Sequence, residues 1–284
     1  MKGPTLLLLV LLVVFYKNEV MAQDIGMDNI YAWCIVPYDS LERSPQARIA
    51  MLKKMGITKY AYDWRQEHLS QMAKELQWAK KQGVTVISVW MWIDGHGDAL
   101  GNLSDSNEKV FEVVEEVGYT GQIWVSFAAN FFEDLSDTAA VAKGAEMIAF
   151  LSKRAAALGC KIGLYNHGDW FGEPKNQIQI IKALPNEDLG LVYNFHHAHH
   201  QIDAFPEMVD TMLPYLWYVN LSGLRKEGPK ILTIGEGNYE KEMIQLLLEK
   251  GYTGDFGILG HVAEKDVERV LKANLNGLRK MHIK

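Results

Sequence analysis

Leu158-Gly159-Cys160-Lys161-Ile162-Gly163-Leu164-Tyr165-Asn166-His167 is the stretch whose reading decides the fold. Before it runs Thr138–Leu158, an amphipathic segment of helical length. Gly159 stops it, since a glycine just past a helix C-terminus turns into left-handed backbone without a Cβ penalty. The short apolar run Lys161–Asn166 reads as a strand. The chain then presents tyrosine, asparagine and histidine in succession, side chains that do chemistry more often than they fill a core.

The same unit recurs in both directions. The strand candidates are Ile30–Val36, Lys59–Trp64, Val84–Ile93, Gln122–Ala128, Lys161–Asn166, Leu189–Phe195, Leu216–Asn220 and Asp255–Gly260. Amphipathic runs such as Pro45–Met55, His68–Gln82 and Glu240–Lys250 lie between them, and Gly56, Gly83, Gly118 and Gly251 repeat the stop signal. Strand–helix pairs in series call for a parallel sheet with crossover helices. At about 250 residues, closure into a (β/α)8 TIM barrel fits better than an open sheet. No G-x-G-x-x-G phosphate cradle opens the first turns, which weakens a dinucleotide-binding alternative. The expectation is an α/β protein with one barrel domain over residues 23–284. Lys230–Ile234, a ninth strand-like run, is assigned to the connection before the eighth strand.

Residues 1–22 read as a signal peptide. Lys2 precedes Leu6–Tyr16, a run too short to span a bilayer, and Val20-Met21-Ala22 supplies a small-residue cleavage signal. An uncleaved anchor is the alternative. Cleavage before Gln23 would leave an exported protein, periplasmic or secreted, with no stable membrane anchor. It would remove two lysines and one glutamate, taking the formal charge from −6 to −7. A mildly acidic chain without a Lys/Arg cluster has no electrostatic footprint for nucleic acid. Cys34 and Cys160 both sit in apolar strand-like runs on opposite sides of the expected ring, so they read as two buried, unpaired thiols.

In a closed barrel the strand ends converge on one rim, where chemistry gathers. Seven of the nine histidines (His96, His167, His196, His197, His199, His200 and His261) follow strand-like runs. Imidazole is the usual acid/base at neutral pH and a common metal ligand. His167 and His197 each follow their strand within a few residues, beside an amide, and are the candidates for proton transfer. His199 and His200 read as solvated loop. Glu236, between two glycines, is the candidate carboxylate base, or else a turn former. Asp63 and Asp94 either hold sugar hydroxyls or cap the next helix. Trp64, Trp92 and Trp170 either stack on sugar C–H faces or fill space. His96, Tyr165, Asn166, Asn194 and Asn220 complete the expected binding set.

Tyr165-Asn166-His167, Asn194-x-x-His197, Asn220-Leu221-Ser222-Gly223 and Gly235-Glu236-Gly237 together resemble the xylose-isomerase-like TIM-barrel superfamily of sugar (phosphate) isomerases and epimerases. Members typically read Glu-Asn-His, Asp-x-x-His, His-x-Lys-Asp and Gly-Glu-Gly there, with a last glutamate on strand eight. The resemblance implies a divalent metal held by two glutamates, an aspartate and a histidine, polarising a sugar carbonyl. Here Tyr165, Asn194 and Asn220 replace three of those ligands, and Gly260-His261 offers no glutamate. Hard cations want carboxylate oxygens. Two readings follow. His167, His197 and His261 would bind a softer ion such as zinc (manganese being the harder option), or the pocket works without metal through a histidine and Glu236. The second is preferred.

The expected function is proton movement next to the carbonyl of a non-phosphorylated sugar or keto-glycoside, by isomerisation or epimerisation. No basic phosphate clamp stands out in the loops. A lyase or hydrolase on keto-sugar glycosides would begin with the same abstraction. A carbohydrate-binding barrel that has lost catalysis is the non-enzymatic alternative. The expected partner is a small carbohydrate in every case.

Overall fold

All eight strand-like runs become parallel strands in sequence order: β1 (Ile30–Trp33), β2 (Lys59–Tyr62), β3 (Thr85–Ile93), β4 (Gln122–Phe127), β5 (Lys161–Tyr165), β6 (Leu189–Asn194), β7 (Leu216–Leu221) and β8 (Asp255–Leu259). β8 returns to β1 over Ile30↔Phe256 to Trp33↔Leu259, which closes the ring. Helices α1 (Pro45–Lys54), α2 (Leu69–Lys81), α3 (Asp105–Glu116), α4 (Asp137–Ala157), α5 (Pro174–Ala183), α6 (Phe205–Met212), α7 (Glu240–Glu249) and α8 (Val267–Lys280) follow the strands one by one. The expected single-domain (β/α)8 barrel is therefore present. The computed structural model describes residues 25–283, so the expected signal peptide, residues 1–22, lies outside the described residues. No helix among these residues is long and apolar enough to cross a membrane.

Local chemistry explains where the helices begin and end. Ser44 and Ser136 accept hydrogen bonds from the N–H groups of Ala47 and Ala139, and Asp266 from that of Glu268, capping α1, α4 and α8. The five glycines read as stops all take left-handed φ, between +59° and +92°. β1 ends earlier than expected because Cys34 itself turns left-handed, at φ 55°. Both cysteines are free and buried.

Period-two alternation sorts the strand residues. Tyr31, Trp33, Ala61, Trp124, Tyr165, Val192 and Leu259 pack with one another inside the ring. Their neighbours Ile30, Ala32, Tyr60, Tyr62, Val89 and Met91 join the larger core under the helices. The interior is filled by rings: Trp33 meets Trp124 edge-on at 5.3 Å, and Trp124 stacks on Tyr165 at 6.2 Å. The ninth run, Lys230–Ile234, forms no strand. It makes only an isolated antiparallel bridge, Gly223↔Leu232, because a closed ring leaves no edge to join.

Candidate active site

Above this aromatic plug, the C-terminal rim encloses a cavity of about 890 Å³. β1 and its loop supply Trp33, Cys34 and Tyr38; β2 supplies Asp63, Trp64 and Arg65; β3 and its loop supply Trp90, Trp92, Asp94, His96 and Asp98. Tyr165, His167, His196, His197, Lys230 and His261 close the other side. The tryptophans are fixed in place. Trp64 Nε1 donates to the carbonyl of Trp90 (2.6 Å), and Trp90 Nε1 donates to Ser126 Oγ (3.2 Å). Arg65 is equally constrained. It donates to Tyr38 Oη (2.6 Å) and the Trp64 carbonyl (2.7 Å), and lies over the rings of Tyr38 and Trp90.

Four imidazoles converge here. His167 and His197 have ring centroids 4.4 Å apart, His197 and His196 also 4.4 Å, and His196 and His261 5.3 Å. All are held neutral. Burial pushes His167 down to about 4, helped by the positive charges of Lys230 and Arg65. Burial likewise lowers His261 to about 4, aided by Arg65 and Lys230, and His196 to about 3, against a hydrogen bond to the Lys230 carbonyl. His197 is depressed further, by burial and then by its histidine neighbours. A neutral imidazole accepts or relays a proton, so the pair suits acid/base work.

Asp63 differs from every other acid at the rim. It is 2 % exposed, and burial raises it to about 6 against the pull of Arg65. Oδ1 lies 3.4 Å from the Val36 N–H, while the buried Oδ2 has no partner. Asp98 is fully engaged by the N–H groups of Asp94 and Ser104 and the Asn107 amide. Asp94 accepts from His96 N–H and the Asn130 amide, which hold it below the usual carboxylate range.

The structure brings together Asp63, Trp64, Trp92, Asp94, His96, Tyr165, His167, His197 and His261 of the expected set. Others are elsewhere. Glu236, the expected base, sits on an exposed turn and does not line the cavity; its carbonyl accepts from Arg225. The carboxylate that organises this turn is Glu240, which accepts from the N–H groups of Gly235, Gly237, Leu224 and Tyr239. Trp170 donates to Asp137 and packs on Phe132, away from the cavity. Asn166, Asn194 and Asn220 are fully buried and already bonded. Asn166 accepts from Asn194 N–H, Asn194 bonds Tyr165 Oη and accepts from His196 N–H, and Asn220 accepts from Tyr31 Oη (2.9 Å). They brace the cavity rather than line it.

Sequence reasoning missed Trp33, Cys34, Tyr38, Trp90 and Lys230, placed His196 at the rim without giving it a role, and passed over Arg65. Trp90 was findable, two residues before Trp92 on the same strand face. Lys230 carried no signal, because a loop contact delivers it. Its carbonyl accepts from His196 Nδ1 (3.1 Å), and the His199 ring lies against the carbonyls of Arg225 (2.9 Å) and Lys230 (3.0 Å).

Among solved structures the chain is similar to 3-keto-D-glucoside 4-epimerase YcjR from E. coli, at TM-score 0.67 and 17 % identity, covering 89 % of this chain and 99 % of that one. It is also similar to a xylose isomerase domain-containing protein from Salmonella typhimurium LT2 (TM-score 0.65, 13 % identity, 92 % and 100 % covered). At these identities the likeness is one of fold, the closed (β/α)8 barrel. A third structure of this fold, D-psicose 3-epimerase with D-tagatose from Clostridium cellulolyticum H10, matches at TM-score 0.63 and 14 % identity over 89 % of this chain and 99 % of that chain. No protein-family model matches the sequence, and no curated protein matches it.

The residues present do not fit the divalent ion that the xylose-isomerase-like resemblance implies. Tyr165, Asn194 and Asn220, at the carboxylate and imidazole positions, are neutral and engaged with one another or with Trp33, Tyr31 and His196. The trio expected for zinc does not assemble either. His261 stacks on Tyr38 at 3.5 Å and turns to His196, not to the His167–His197 pair. Among the described residues no three His, Cys, Asp or Glu side chains are grouped to hold a metal.

Proposed function

We propose that this barrel is an isomerase- or epimerase-like enzyme that moves a proton next to the carbonyl of a non-phosphorylated sugar or keto-glycoside, in an exported protein. The observation that carries the reading is the contact of two neutral imidazoles, His167 and His197, in a tryptophan-walled cavity of about 890 Å³. Trp92 lies 4.8 Å from His167, so an apolar ring face adjoins the proton acceptor. That pairing suits a sugar, whose C–H face stacks while its hydroxyls hydrogen-bond. The similar structures named as a 3-keto-D-glucoside 4-epimerase and a D-psicose 3-epimerase support the same chemistry.

The test is solvent exchange. In deuterated water the enzyme should place label on the carbon next to the carbonyl of D-fructose, D-psicose, D-tagatose or a 3-keto-D-glucoside. Product analysis separates isomerisation and epimerisation from elimination. His167→Ala and His197→Ala should each slow exchange about 100-fold or more, the usual worth of a positioned acid/base group. Full exchange in both variants would sink the assignment, and a binding barrel would wash in no label at all. Export is checked by N-terminal sequencing of the secreted protein, which should begin at Gln23.

A further inference from the structure

We propose that Asp63 is the second proton-transfer group of this site, facing the substrate from the wall opposite His197. This rests on the proton-transfer reading above and supplies the carboxylate that Glu236 does not. The ring order fixes the placement: β2 and β6 are four strands apart in either direction around eight, hence diametrically opposed. Asp63 follows β2 immediately and His197 follows β6 within three residues, and both line the cavity. Ala61 packs inside the ring from β2, and Asp63, Trp64 and Arg65, which follow the strand, all line the cavity. Asp63 is buried, yet Oδ2 has no protein partner. An unpaired carboxyl oxygen in such a place is costly as an anion, which favours the protonated form of Asp63 beside the cavity it lines. Of the other two acids lining the cavity, Asp98 is bonded on both oxygens, while half-buried Asp94 is bonded at Oδ1 and held below the usual carboxylate range, so it keeps no proton to deliver.

The step balances with one shared proton. His197, relayed through His167, takes the proton from the carbon next to the carbonyl, and the C–H electron pair moves into the carbonyl to give an enolate. Protonated Asp63 then delivers its proton to that carbon from the other face. Imidazolium and carboxylate remain; the imidazolium, which burial disfavours, gives its proton to water and the carboxylate takes one back before the next forward turnover. In the reverse direction the carboxylate abstracts and the imidazolium donates, restoring the neutral pair. No outside oxidant or co-reactant is needed, and the product is inverted at one carbon.

Asp63→Asn keeps the shape and removes the proton, so it tests the idea on the epimer pair D-fructose and D-psicose and on methyl 3-keto-D-glucoside with its 4-epimer. The expected result is loss of interconversion by about 100-fold or more with deuterium exchange retained from one epimer only. Interconversion at the wild-type rate overturns the proposal while leaving the histidine assignment standing. Equal loss of exchange from both epimers, with an unchanged thermal melt, also overturns it, since that is a merely structural role. Failure of the wild-type enzyme to exchange label into any of these sugars sinks the underlying reading and this inference with it. An infrared titration of the wild-type protein needs no turnover and serves if the variant does not fold. A protonated carboxyl band should be lost as the pH rises through about 6, and its absence at pH 5 counts against the role.

Discussion

At the scale of single residues, charge placement governs what the imidazoles can do. Lys230 and Arg65 reach the cavity from different loops, and both lower His167 and His261 beyond the effect of burial. Replacing Lys230 by methionine keeps much of the stem and removes the charge. It should raise the apparent pKa of His167, His196, His197 and His261 together, as read from histidine ring NMR across a pH series. Unmoved titrations would mean that the lysine head stays in solvent. Half of this site was legible beforehand. Asp63, His167 and His197 lie within three residues of their strand ends, where a barrel must place them on its rim. Asn194 and Asn220 sit just as close but turn to neighbouring side chains, and nothing in a linear sequence says which acceptor a buried amide will find.

At the scale of elements, strand and helix positions followed from patterning, whereas the contacts between helices did not. α1 and α2 are joined behind β2 by Arg48 and Glu75, both almost fully buried, with Tyr60 donating to Glu75 (3.2 Å) and Arg48 to the Arg43 carbonyl (2.7 Å). Breaking such a pair strands a charge in a medium that cannot solvate it, at a cost of about 3–5 kcal/mol. Glu75→Leu should therefore lose about that much in urea unfolding, and the double variant Glu75→Leu with Arg48→Met should recover most of it. An unaltered midpoint for Glu75→Leu would show that the pair is solvated. The Gly-Glu-Gly turn is a comparable case. Gly277 of α8 packs so closely on Ile234 that a Cβ there would lie 1.6 Å from its carbonyl oxygen. That contact, with Glu240 holding the turn's N–H groups, explains why Glu236 is exposed instead of aimed at the cavity. The sequence motif marks a tight loop; its carboxylate is a by-product of the fold.

At the scale of the whole molecule, gathering imidazoles under one roof makes stability depend on pH. In the unfolded chain an imidazole titrates near about 6.5. In the folded barrel His167 and His261 do so at about 4 and His196 at about 3, with His197 also depressed. Between these limits the unfolded state binds more protons, so stability must fall as the pH drops from about 6.5 through 4. Asp63 works against this. Its raised value, about 6, means that the folded state binds one extra proton between about 4 and 6. Four imidazoles outweigh Asp63 and Glu75, the latter also raised by burial, and the melting temperature should decline from pH 7 to pH 4. A flat profile would place these rings in solvent.

Sequence alone determined that there would be eight strand–helix units, where each lies to within a few residues, and that polar and imidazole side chains would crowd the strand ends. These features are local: period-two and helical patterning, glycine stops and serine or aspartate caps act over a few residues. Only the closed ring decided the partnerships. It set His167 against His197, put Asp63 across from them, delivered Lys230 through a carbonyl held by His196 and His199, and sent Glu236 outward. Those outcomes depend on which distant strands face one another and on which buried polar atoms find a partner. Both are properties of packing in three dimensions, which no window of the chain contains.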